Sequence, residues 1–143
     1  ITSGCGFKVA NRSEKVNFSI NEINSTGDKI INYKIKNNLI FQFDSKKGRN
    51  INLEINSKKN KSVKEKNIKN EITKYQIDIN VNVAVKDVTL KNIDSFNITE
   101  NGHFSVSSRH SDTLNNEKKL VDLLAESLVD KIIDELTLII NDI

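Results

Sequence analysis

Apolar and polar residues alternate in short runs through the first hundred positions, and the period changes where the elements change. In "KVNFSINEI", Val16, Phe18 and Ile20 take every second position, which predicts a strand with one buried face. Ser25-Thr26-Gly27-Asp28 then supplies capping side chains ahead of "KIINYKIKNNLIFQF". There Ile31, Ile35 and Leu39 recur every four residues, as one face of a helix does. Ile31-Tyr33-Ile35 and Leu39-Phe41-Phe43 also alternate as a strand would, and the caps decide for a helix, ended by Asp44-Ser45-Lys46-Lys47-Gly48.

In "NINLEIN", Ile51, Leu53 and Ile55 share one face, so a short second strand is expected. From Lys58 to Glu71 no apolar period is sustained, and the expectation is a mobile lysine-rich loop. The strongest pattern of the chain follows in "KYQIDINVNVAV". Tyr75, Ile77, Ile79, Val81, Val83 and Val85 face one way, against Gln76, Asp78, Asn80 and Asn82 on the other. Residues 86–94 read as a turn region. In "SFNITENGHFSVSSR" the Asn101-Gly102 pair implies either a small hairpin or one strand broken by a bulge. Ser111, Asp112 and Thr113 are cap candidates for a last helix. Its apolar stripe runs through Leu120, Leu124, Leu128, Ile132, Leu136 and Ile140, widened by Leu123, Val129, Ile133 and Ile139.

The order predicted is βαβββα in a single α+β domain: a four-stranded mixed sheet with two helices packed on one face. The first helix crosses over between strands one and two, which need not be neighbours but are parallel if paired in one sheet. Strands two to four form an antiparallel meander, and the Gln76, Asp78, Asn80, Asn82 face stays open to water or a partner.

Charge adds one feature. The net charge of +3 hides a split. Seven lysines against Glu65 and Glu71 between Lys58 and Lys74 give +5, while eight acids against three lysines from Asp112 to Ile143 give −5. A chain basic only in its middle does not read as a nucleic-acid binder. No run approaches a membrane-spanning helix.

Catalytic chemistry finds little support. There is no glycine-rich phosphate loop, no paired cysteine, no HExxH and no GxSxG, so no enzyme activity, metal or cofactor is expected. His103 and His110, with Ser111 and Asp112, compose a triad or metal site only on paper; two exposed polar residues is the plainer reading. The lysine stretch is either a solvated loop or a set of ammonium groups for an anionic surface such as phosphorylated lipid.

The first residues point elsewhere. Ile1-Thr2-Ser3-Gly4-Cys5 resembles the end of a bacterial lipoprotein signal, with Thr2 where leucine is usual, so that residues 1–4 would be removed and Cys5, the lone cysteine, acylated (palmitate among the chains). Cys5-Gly6-Phe7, the Tyr75-Gln76 strand, the strand around Phe104–Arg109 and the acidic, leucine-rich last helix together resemble the LPS-assembly lipoprotein LptE (rare lipoprotein B) family. The chain departs from it at Lys8-Val9-Ala10, in the lysine stretch and in the turn after Val85. The resemblance implies a Gram-negative outer-membrane lipoprotein with its domain over residues 5–143, lying on the periplasmic side and in a barrel lumen. It would be non-enzymatic, plugging the β-barrel LptD, assisting its assembly and helping to deliver lipopolysaccharide to the outer leaflet. Lys66, Lys69 and Arg109 are then the candidate lipopolysaccharide contacts. The alternative is an accessory lipoprotein of another envelope lipid-transport system.

Overall fold

A computed structural model describes residues 18–42 and 48–141. The elements are β1 (Phe18–Gly27), α1 (Lys29–Gln42), β2 (Arg49–Lys66), β3 (Ile72–Lys86), β4 (Asn92–Ser105) and α2 (His110–Asn141). The predicted βαβββα order holds. The strands form one sheet in the order β1-β2-β3-β4, with β1 parallel to β2 and the other pairs antiparallel. Val16 and Cys5 lie outside the described residues.

The helix competes successfully with the strand in "KIINYKIKNNLIFQ" because its start is tied down. Gly27 turns the chain at a φ of 96°, and a Cβ there would stand 2.0 Å from the Ser57 carbonyl oxygen. Asp28 is the N-cap: its Oδ1 accepts from the Ile31 amide at 2.9 Å. Below it, Asn32 is buried and donates to the Thr26 carbonyl at 2.8 Å, while accepting from the buried Ser57 hydroxyl at 2.7 Å. This polar knot joins α1 to β1 and β2 with its buried groups satisfied.

Both helices lie on one face of the sheet. Ile31, Ile35 and Leu39 of α1, Ile51, Leu53 and Ile55 of β2, and Ile77 to Val85 of β3 meet Leu124, Leu128, Ile132, Leu136 and Ile140 of α2 in one core. Val129, Ile133 and Ile139 join it as expected, but Leu123 is 63% exposed. Lys34 of α1 pairs with Asp122 of α2 across the top.

Four expectations need correction. The stretch from Lys58 is not a loop: β2 continues to Lys66, paired residue by residue with β3 through Lys58↔Asn80, Asn60↔Asp78 and Ser62↔Gln76, with bulges between Val63 and Lys66. Its lysines have weak strand preference, yet the long β3 edge offers a ladder that outweighs it. The turn after β3 is only residues 87–91. Asn101-Gly102 makes neither a hairpin nor a bulge, since Asn101↔Asp78 and Gly102↔Ile77 stay in register. Gly102 instead lets α2 approach: a Cβ there would come within 2.7 Å of Leu120 Cδ1. The last helix also starts earlier than its cap candidates, because Arg109 supplies the capping carbonyl to the Asp112 and Thr113 amides.

Candidate functional site

Past the core, β2 and β3 run on as an arm that is two-stranded only beyond the Lys74↔Ser105 pair, where β4 ends, and residues 61–71 are all exposed. The inward row of β2 changes there from Ile51, Leu53 and Ile55 to Ser57, Lys59 and Lys61. Lys61 Nζ lies 4.6 Å from the Tyr75 ring centroid and 5.4 Å from that of Phe104, and 3.0 Å from Glu117 Oε1 of α2. Tyr75 and Phe104 stack at 5.6 Å. One ammonium thus moors the base of the arm to α2 by a cation–π contact and an ion pair.

The arm closes in a tight loop, Asn67-Ile68-Lys69-Asn70-Glu71. Asn67 Oδ1 accepts from the Lys69 amide at 2.9 Å and the Glu71 amide at 3.0 Å, and its Nδ2 donates to Glu71 Oε1 at 3.0 Å. The Asn70 amide donates back to the Asn67 carbonyl, and Asn70 takes a φ of 66°. Held this way, Ile68 is 103% exposed. Glu65 is engaged by Thr73 Oγ1 and Lys74, and Glu71 by Asn67, whereas Lys64, Lys66 and Lys69 have no acidic partner among the described residues.

The predicted contact residues therefore share one end of the molecule. Lys66 ends β2 and Lys69 sits in the loop; Arg109 is exposed at the start of α2, at the end of the sheet where Ser105 pairs with Lys74. Beside Arg109, a hollow of 310 Å³ between the arm and α2 is lined by Lys61, Ile72, Tyr75, Val106, His110 and Leu114. His103 lies on β4 opposite Gln76, away from His110 at the head of α2. Among the described residues no three His, Cys, Asp or Glu side chains come together as a metal site.

The sheet face away from the helices is a second candidate surface. Thr26, Asn56, Asn82 and Asn97 stand in one row across all four strands, with Lys58, Asn80 and Thr99 in the next. Asn56 donates to Thr26 Oγ1 at 2.7 Å and Asn97 to Asn80 Oδ1 at 2.7 Å. Two adjoining hollows of 740 and 570 Å³ lie over these amides. The open polar face was legible from β3 alone; that β2 and β4 contribute matching amides, and β1 the Thr26 hydroxyl, emerges only from the register.

Both surfaces belong to a single α+β domain with its helices on one face of a mixed four-stranded sheet. No protein-family profile matches the chain, and no curated protein matches it in sequence. Solved structures do. Rare lipoprotein B from Shewanella oneidensis superposes with a TM-score of 0.59 at 14% identity, over 81% of this chain and 93% of that one. Lipoprotein B from Nitrosomonas europaea gives 0.62 at 10% identity, over 85% and 86%. A minor lipoprotein from Acinetobacter baumannii gives 0.60 at 12%, over 85% and 92%. The chain has the fold of rare lipoprotein B, the structure that its resemblance to the LptE family implies. No helix among the described residues is long and apolar enough to cross a membrane.

Proposed function

We propose that this chain is an outer-membrane lipoprotein of the LptE type, acylated at Cys5, which occupies the lumen of an LptD-like β-barrel, assists its assembly and takes part in delivering lipopolysaccharide. Its role is non-catalytic. The observation that carries the reading is the shape of the domain together with its fold. β2 alone, with 18 residues, extends for about 55 Å, longer than the roughly 40–45 Å of a whole bilayer. Phe18 pairs with Arg49 at one end of β2, and the basic arm tip lies at the other. A plug lying along a barrel axis would present its amide-rich sheet face to a polar inner wall, where Asn side chains both donate and accept. Lys66, Lys69 and Arg109, gathered at one end, would meet the phosphates of lipid A.

The test is recovery of the protein from detergent-extracted outer membranes of its host, with mass spectrometry of what accompanies it. A large β-barrel protein in near-equal amount, and an acylated peptide beginning at Cys5, are expected. Recovery with inner-membrane transporter components and no barrel would overturn the plug and leave the accessory-lipoprotein alternative. For the contacts, charge reversal at Lys66 and Lys69 should weaken lipopolysaccharide binding; unchanged binding removes them.

A further inference from the structure

We infer that the tip of the β2–β3 arm is a bilayer-docking device: it seats Ile68 among the lipids of an anionic membrane surface while Lys64, Lys66 and Lys69 meet the headgroup phosphates. This does not rest on the barrel reading, because it needs no barrel, no lipopolysaccharide and no acyl chain on Cys5.

Single exposed apolar residues are ordinary on protein surfaces. Ile68 differs in three ways. Its entire side chain stands in water at the apex of the arm, with an exposure of 103%, whereas the other large exposed apolar side chains range from 37% to 67%. It is also held there, since the Asn67 carboxamide takes both the Lys69 and Glu71 amides and the Asn70 amide closes the loop, so outward display needs no further ordering. Finally, its neighbours are cationic and unengaged. Lys64, Lys66 and Lys69 are free of acidic partners among the described residues, while Glu65 and Glu71, the two acids nearby, are turned to Thr73, Lys74 and Asn67. Val63, 45% exposed, stands behind the tip on the same strand.

An apolar apex with exposed lysines beside it in the loop and at the end of β2 matches one kind of partner, a surface with anionic headgroups above a hydrocarbon layer. A free phosphate would use the lysines and leave Ile68 in water. A protein groove would need apolar area flanking the apex, and the residues on either side of Ile68 are Asn67 and Lys69.

The chain contains no tryptophan, so Ile68→Trp reports from this one position. The unacylated 143-residue chain would be mixed with phosphatidylcholine vesicles containing about one-third phosphatidylglycerol, a composition at which each lysine matters by roughly fivefold. The Ile68→Trp emission should shift to the blue with these vesicles, stay unshifted with phosphatidylcholine alone or with inorganic phosphate, and lose the shift at high salt. In cosedimentation, Lys64, Lys66 and Lys69 changed together to Gln should lower partitioning on the order of a hundredfold, and Ile68→Asp about tenfold. Both sets change exposed side chains, so an unaltered thermal transition verifies the fold. Absence of binding to the anionic vesicles overturns the proposal. So does binding without a shift, which would mean diffuse attraction with no seating, and so does equal binding to both vesicle types. An equal shift with inorganic phosphate would mean that anion binding rearranges the loop without a bilayer to receive it, and would overturn the proposal as well.

Discussion

Two hairpin loops close the ends of β3, and they are built alike. Asn67-Ile68-Lys69-Asn70-Glu71 and Asp87-Val88-Thr89-Leu90-Lys91 each begin with a side-chain oxygen that accepts from the third and fifth amides. Each returns the fourth amide to the first carbonyl, and each puts its fourth residue at a φ of 66°. The same backbone solution thus serves a neutral acceptor at one end and a charged one at the other. What differs is the setting. The Asp87 loop lies against the body, where its carbonyl accepts from Asn52 at 3.5 Å. The Asn67 loop crowns an arm that no helix covers. Backbone geometry alone does not make a functional tip; the surroundings decide whether an apolar second residue is a packing remnant or a projecting contact.

If the body carries the stability and the arm tip carries none, substitutions should separate the two. The largest effect is expected at Gly27. Gly27→Ala imposes a side chain on a φ of 96° and drives its Cβ into the Ser57 carbonyl, a backbone atom that cannot step aside. A loss of about 3 kcal/mol is expected in denaturant unfolding. A loss below about 1 kcal/mol would mean that the β1–α1 turn relaxes freely. Next comes Asn32→Ala, which removes the side chain bonded to the Thr26 carbonyl and leaves the buried Ser57 hydroxyl with only its longer bond to the Asp28 carbonyl at 3.2 Å. It should cost about 2 kcal/mol, and the double variant with Ser57→Ala should cost less than the sum, since the two groups satisfy each other.

Between body and arm stands Lys61. Lys61→Gln removes the cation over Tyr75 and Phe104 and its pairing with Glu117. About 1 kcal/mol of global stability should go with it, given that the pair is partly exposed. More tellingly, amide exchange should quicken from Ile72 to Tyr75, where the arm leaves the body, and not from Val81 to Val85. Equal quickening in both stretches would show that arm and body unfold as one unit. At the tip itself, Asn67→Ala should leave the unfolding midpoint unmoved and speed exchange of the Lys69 and Glu71 amides roughly fivefold.

The separation of arm from body also explains what the sequence could convey. Alternation disclosed β3 and the four-residue spacing disclosed α1 and α2, because burial against a core repeats with the period of the element. The order and the open sheet face followed. The lysine arm did not, since a strand that continues past the core loses the apolar half of its alternation and is held by pairing, which composition does not record. The Asn101-Gly102 signal misled for the converse reason: glycine served the approach of α2 and not a turn. Of the candidate site, Lys66, Lys69 and Arg109 were legible as basic residues, but their convergence on one end required the register. Ile68 had no signal of its own. It was one isoleucine in an Ile-rich chain until the Asn67 bonds put it at an apex.

The smallest effect distinguishes the two loops by their first residue. Hydrogen bonds from the Thr89 hydroxyl and the Lys91 amide, with further help from the Thr89 amide and the Lys91 charge, hold the Asp87 carboxyl below its ordinary 3.8 against a small opposing burial effect. A depressed folded value means that the ionised form is the one the loop binds. Its contribution is complete above the unfolded value near 3.8 and is lost as pH falls from there through the lower folded value. Asn67 has no proton to gain at its acceptor oxygen over this range. The protection of the Thr89 and Lys91 amides, divided by that of the Lys69 and Glu71 amides, should therefore be constant from neutral pH down to about 4 and decline below it. Asp87→Asn, which gives both loops the same acceptor, should flatten that ratio. A ratio that stayed level in the unaltered chain would mean that the backbone bonds of the Asp87 loop, and not its charge, set its closure, and the two ends of the sheet would then differ only in what surrounds them.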